Sequence, residues 1–140
     1  MTPVDAGLLD TSTVILLDRL RDPQALPVRP LISAITLAEL SVGTLVSQTD
    51  EERFSRQARL QQAEADFEPL PFDADAARAF GGVAASLRRS GRKTAGRAYD
   101  AMIAAVAISN GLPLFTCNPR DFAGIDGLTV VAVPHPDENP

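Results

Sequence analysis

The sequence predicts an α/β fold, a parallel central sheet flanked by helices on both faces. Three observations carry this expectation. Short apolar stretches, several of them β-branched, alternate with longer stretches of helical spacing. Little between them reads as a hairpin turn, which favours parallel over antiparallel pairing. The 140 residues are 45% hydrophobic, enough for a real core in a single domain.

The elements follow in order. Residues 7–10 form a short apolar strand ending at Asp10. Ser12 or Thr11 then caps a helix carrying Val14, Ile15, Leu17 and Leu20, which Pro23, Pro27 and Pro30 break. "LISAI" (31–35) is brief, apolar and partly β-branched, and reads as the second strand. "TLAELSVGTLV" (36–46) has helical spacing, and the polar run 49–67 is a second, more solvated helix. The prolines of "EPLPF" (68–72) keep it extended. Residues 73–91 form a helix stopped by Gly91, and the alanine-rich 98–111 a helix stopped by Asn110-Gly111. "LPLFT" (112–116) and "LTVVAV" (128–133) are the last strands. The expected organisation is one domain over 1–140, with an ordered core at 7–133 and a flexible tail at 134–140.

Composition narrows the chemistry. Cys117 is the only cysteine, so neither an internal disulfide nor a cysteine-based zinc cluster is possible. The only histidine, His135, lies in the proline-flanked tail, which argues against a Ser/His/Asp or Cys/His engine. No apolar run approaches the ~20 residues of a membrane span, and the N-terminus lacks the basic flank of a signal peptide. A cytoplasmic location is expected. The net charge of −5 argues against a protein that coats nucleic acid generally.

In open α/β sheets ligands sit beyond the carboxyl ends of the strands. Asp10 ends the first strand, and Asn118 follows the strand 112–116. Glu39 falls in the first turn expected for the helix after the second strand, and Asp100 in the first turn of the helix leading into 112–116. All four therefore belong on one rim. Each has a local explanation as well. Asp10 suits a helix cap, Thr36-x-x-Glu39 a capping box, Asp100 a helix dipole, and Asn118-Pro119-Arg120-Asp121 an N-terminal helix signal. Convergence tips the balance: three acids and an amide on one rim repel and lose solvation, and a cation relieves that conflict. Oxygen-only donors point to Mg²⁺, with Mn²⁺ as the substitute.

Four motifs, "LLDTS" (8–12), "ITLAEL" (35–40), "YDAMIAA" (99–105) and "TCNPRDF" (116–122), resemble in order those of the PIN-domain ribonucleases, specifically the VapC-type toxins of bacterial toxin–antitoxin pairs. The resemblance covers 7–133. It implies a PIN-like fold with an acidic pocket, a magnesium-dependent endoribonuclease activity, a cognate antitoxin and a homodimer. By position Asp10, Glu39 and Asp100 match the three acidic motif residues, and Ser12 the hydroxyl that steadies the first aspartate. Asp10 and Asp100 are the expected metal ligands. Many members carry an aspartate at the fourth acidic position, where this chain has Asn118; Asp121 is the alternative source of that carboxylate. Cys117, where relatives often have a basic residue, reads as a packed thiol.

"RRSGRKTAGR" (88–97) contributes Arg88, Arg89, Arg92, Lys93 and Arg97 with no acid, and lies just before Asp100. It is expected to contact RNA phosphates; the competing reading is a solvated helix end whose cations favour the dipole. The helices at 36–67 carry Leu37, Leu40, Leu45, Val46, Phe54 and Leu60, expected in the core, although the resemblance places an antitoxin groove in this region. A phosphatase of the haloacid dehalogenase type needs a second acid where Ser12 stands, a receiver domain a lysine where Lys93 is not, and a dinucleotide site a glycine that "DTSTV" lacks. A PIN-fold module that binds RNA or antitoxin without turnover is the alternative that Asn118 keeps open.

Overall fold

The computed structural model describes residues 5–93 and 97–138. The elements are β1 (Ala6–Leu9), α1 (Thr11–Leu16), β2 (Arg29–Ser33), α2 (Ala34–Leu45), α3 (Asp50–Asp66), β3 (Pro69–Leu70), α4 (Ala74–Arg89), α5 (Ala98–Ser109), β4 (Leu114–Thr116) and β5 (Val130–Ala132). Among the described residues they build a five-stranded sheet in the order β3-β2-β1-β4-β5. Every neighbouring pair is parallel.

Alternation along the strands divides the core between the two faces of the sheet. Leu8 pairs with Leu31 and with Leu114, and all three pack with Val83, Leu87, Ile103 and Phe122 under α4 and α5. Their neighbours Leu9, Ile32 and Phe115 face the other way, against Val14, Leu40 and Ala63 of α1, α2 and α3. A Cβ at Gly7 would stand 2.4 Å from the Phe115 ring, so only glycine lets that ring lie across β1. α5 buries Ala101, Ala104, Ala105 and Ala107, whose small side chains allow a close approach to sheet and helix.

Several boundaries correct the expectations. The cap of α1 is Asp10, not Ser12 or Thr11, because its carboxylate accepts from the Thr13 amide. The helix is also shorter than expected, giving way to a 3₁₀ turn at Leu17–Arg19. β2 ends at Ser33, which caps α2 by accepting from the Thr36 amide; Thr36 is therefore inside the helix and Glu39 in its second turn, and the expected capping box does not form. The extended 68–72 stretch supplies an edge strand, Pro69–Leu70, beside Ile32–Ser33, an edge being where proline's missing donor is tolerated. The apolar stripe of α2 and α3 splits. Leu40 is buried, Leu37 and Leu60 are half-buried, and Leu45 (85% exposed), Val46 and Phe54 (77%) face outward instead of into the core. Residues 134–138 fold back on the body: Pro136 is buried and Asp137 pairs with Arg19.

Candidate active site

The parallel sheet brings the carboxyl ends of β1, β2 and β4 to one edge. α5 runs back across the sheet to feed β4, so its first turn, with Asp100, returns to that edge.

Asp10 is the best-anchored group there. It is 3% exposed. Its Oδ1 accepts from the Thr13 amide (3.1 Å) and the Thr13 hydroxyl, and its Oδ2 from the hydroxyls of Ser12 and Thr116, both at 2.8 Å. Each hydroxyl also accepts a bond from the chain beyond β4. The Cys117 amide donates to Thr13 Oγ1 (3.0 Å), the Asn118 amide to Thr116 Oγ1 (2.9 Å), and Asn118 Nδ2 to Ser12 Oγ (3.0 Å). Four donors fill the roughly four lone-pair positions of a carboxylate. Direct ligation by Asp10 therefore requires one hydroxyl to turn away. Ser12, half-buried, is the least enclosed of the three, Thr13 and Thr116 being buried.

Glu39 is held by a second hydroxyl chain. Thr11 Oγ1 donates to Glu39 Oε1 (2.7 Å) and lies 3.0 Å from Thr36 Oγ1. A hydroxyl has one proton, so Thr36 donates to Thr11 when Thr11 donates to Glu39. Burial raises the Glu39 carboxyl, the Thr11 bond opposes that, and the charge of Asp10 adds to it. Asp100 is affected more. Burial, then the charges of Asp121, Glu39 and Asp10, push it up to about 6, with Arg97 pulling the other way. The four carboxylates thus share one field, as the sequence predicts for three of them. Asn118 reaches the site through Ser12, and Asp121 through its charge on Asp100.

This donor set suits a hard divalent cation: it is all oxygen, and its members repel one another. It is not closed around an ion in advance, since no three His, Cys, Asp or Glu side chains among the described residues form a ready ligand group. Side-chain rotation, above all at Ser12 and Asp10, would have to complete it. Burial also pushes the Cys117 thiol up, in keeping with a packed side chain and not a nucleophile.

The basic stretch divides. Arg89 pairs with Asp126 (2.6 Å). Arg92 donates to the carbonyls of Arg120 (2.9 Å) and Asp121 (3.4 Å), and Arg97 to the Asp121 carbonyl (3.4 Å). Arg88 and Lys93 are exposed, and residues 94–96 lie outside the described residues. Sequence reasoning gave no site role to Thr11, Thr13, Thr36 and Thr116, whose only signal is threonine at or just past the ends of β1, β2 and β4. It also gave no role to Arg56 and Arg59, which line a cleft of about 260 Å³ beside Glu39 with Thr11, Ile15, Leu40 and Gly43.

Residues 8–128 match the PIN domain. The chain is 42% identical over 130 residues to Ribonuclease VapC5 of Mycobacterium tuberculosis, covering 91% of this chain and 93% of that protein. Its fold is similar to the crystal structure of VapBC-5, a member of the VapBC family of toxin–antitoxin systems from Mycobacterium tuberculosis, with a TM-score of 0.78 and 41% identity over 91% of this chain and 98% of that one. It is also similar to DNA-bound VapBC from Salmonella typhimurium, with a TM-score of 0.72 and 31% identity over 91% of this chain and 96% of that one.

Proposed function

The chain belongs to the PIN-domain family that includes the VapC ribonucleases, and from that membership we propose that it is a metal-dependent endoribonuclease, the toxin of a toxin–antitoxin pair, using Mg²⁺ in the acidic pocket. The observation that carries the reading is the convergence of Asp10, Glu39, Asp100 and Asp121 at one edge of the sheet, where burial and mutual charge push the half-buried Asp100 carboxyl up. Such a group is costly without a cation and useful with one.

Asp100, Asp121 and the second oxygen of Glu39 would hold the ion after their side chains rotate to close on it, joined by Asp10 once Ser12 turns aside. A divalent cation bound there supplies an acidified water and neutralises charge on the scissile phosphate. The protein's part is orientation. Thr13 and Thr116 fix the Asp10 carboxylate, Thr11 aims Glu39, and Ser12 ties Asn118 to the same group. Arg88 and Lys93, and Arg59 along the cleft beside Glu39, supply cations for the flanking RNA phosphates.

The partner would be a cognate antitoxin lying on the outward apolar residues of α2 and α3, Val42, Leu45, Val46 and Phe54. A homodimer belongs to the same proposal, and sedimentation checks it. No helix among the described residues is long and apolar enough to cross a membrane; a cytoplasmic site of action is part of the proposal.

The deciding experiment is cleavage of a total-RNA substrate by the purified chain with Mg²⁺, with Mn²⁺ and with chelator, beside Asp100→Asn. Metal-dependent cleavage lost in the variant supports the proposal. RNA binding without cleavage under every metal would make the protein a PIN-fold binding module.

A further inference from the structure

We propose that Arg97 is a fixed cationic partner of the acidic pocket, standing in for a second metal ion, with Arg92 holding the same turn in place; this rests on the metal-dependent reading above. The 3₁₀ turn Pro119–Phe122 carries Asp121 and is anchored at one end by Phe122, buried in the core. Beyond its packing against α5 and β5, two arginines reach it. Arg97 Nη1 lies 3.7 Å from Asp121 Oδ1 and donates to the Asp121 carbonyl. Arg92, just past the end of α4, donates to that carbonyl and to the one before it. Two guanidinium groups close on one short turn, so these residues are spent on the pocket and not spread along a phosphate track.

A guanidinium is always charged and only donates. Beside Asp121 and within the field of Asp100, Arg97 supplies a permanent positive charge on that side of the pocket. With it counted, one divalent cation leaves the four carboxylates slightly negative, whereas two would make the pocket positive before any phosphate arrived. Oxygen supply points the same way, because Asp10 already accepts four hydrogen bonds. Arg97 thus sets the pocket for one tightly held ion, and Arg92 is a positioning residue for Asp121.

The test is Mn²⁺ titration of the full-length, RNA-free chain, with the bound ions counted by calorimetry and by the magnetic resonance of free Mn²⁺. The wild type should hold one ion, Arg97→Gln two, and Arg97→Lys, which keeps the charge, one. Arg92→Gln should hold one, with faster amide exchange at residues 120–122. Two tight ions in the wild type would overturn the inference without any variant, so it stays testable even if Arg97→Gln fails to fold. A count of one in Arg97→Gln, or of two in Arg97→Lys, would overturn it as well. If Arg97→Gln flattened the salt dependence of RNA binding by ~0.7 in slope with its metal count unchanged, Arg97 would be a phosphate contact instead. No ion bound by the wild type would refute the metal-dependent reading itself, a result distinct from two.

Discussion

At the scale of single residues, the pocket is a set of carboxylates held by hydroxyls. Asp100 has the clearest signature. Burial and its acidic neighbours push its carboxyl up to about 6 against an ordinary 3.8. The fold therefore binds this proton more tightly than the unfolded chain does. The associated stability is full below the ordinary value and is lost as pH rises through about 6. Metal-free protein should lose melting temperature over that window, Asp100→Asn should lack this component, and added Mg²⁺ should restore the loss at neutral pH. Parallel profiles for wild type and variant would contradict it. Thr11→Val keeps the shape but removes the donor to Glu39 Oε1. Cleavage should fall with KM little changed, and Thr11→Ser should recover it. If Thr11 served packing alone, valine would be the better rescue.

At the scale of elements, two caps set the rim. Asp10 directly follows β1, caps α1 and is a carboxylate of the rim, so the local reading of it as a cap holds and leaves room for the functional one. Ser33, fully buried, caps α2, the helix that carries Glu39. Ser33→Ala should cost about 1 kcal/mol, seen as a lower denaturation midpoint. At the end of α4, Gly91 has φ +79° and lets the Arg92 amide reach back to the Leu87 carbonyl at 2.8 Å. Gly91→Ala should cost roughly 1 kcal/mol. It should also slow cleavage, because Arg92 leaves this turn to reach the Asp121 loop.

At the scale of the whole molecule, the proposed function asks an acidic protein of net charge −5 to receive an anionic polymer. The cations that remain exposed decide how. Arg88→Gln with Lys93→Gln should weaken RNA binding and flatten its dependence on log salt by ~0.7 per lost contact. Arg89→Gln, its partner Asp126 already neutralising it, should change that slope far less. Equal slopes in all variants would remove the basic stretch from the RNA path. The outward Leu45, Val46 and Phe54 belong to the same scale, since large apolar side chains left in water on adjoining helices mark a surface that expects a partner.

The fold class was legible from the sequence because a sheet buried on both faces requires short apolar runs, and parallel pairing requires helices between them. Periodicity of that kind is a local property of the chain. The rim was legible in part for a related reason: strand ends and helix starts can be placed from sequence, and Asp10 and Asp100 fall on them, with Glu39 one turn into α2. Only the tertiary structure decided what those side chains touch. Ser12, Thr13 and Thr116 meet at Asp10 across about a hundred residues of chain, and Thr11 reaches Glu39 across β2 and into α2. The basic stretch reads as one block in sequence, yet it divides in space because its guanidinium groups find nearby carbonyls and carboxylates that sequence separation conceals. The two-residue strand Pro69–Leu70 carries no periodicity of its own and exists because β2 offers an open edge. Hydrogen-bond partners, free cations and outward faces are set by which segments the sheet brings together, and that is a matter of packing and not of local pattern.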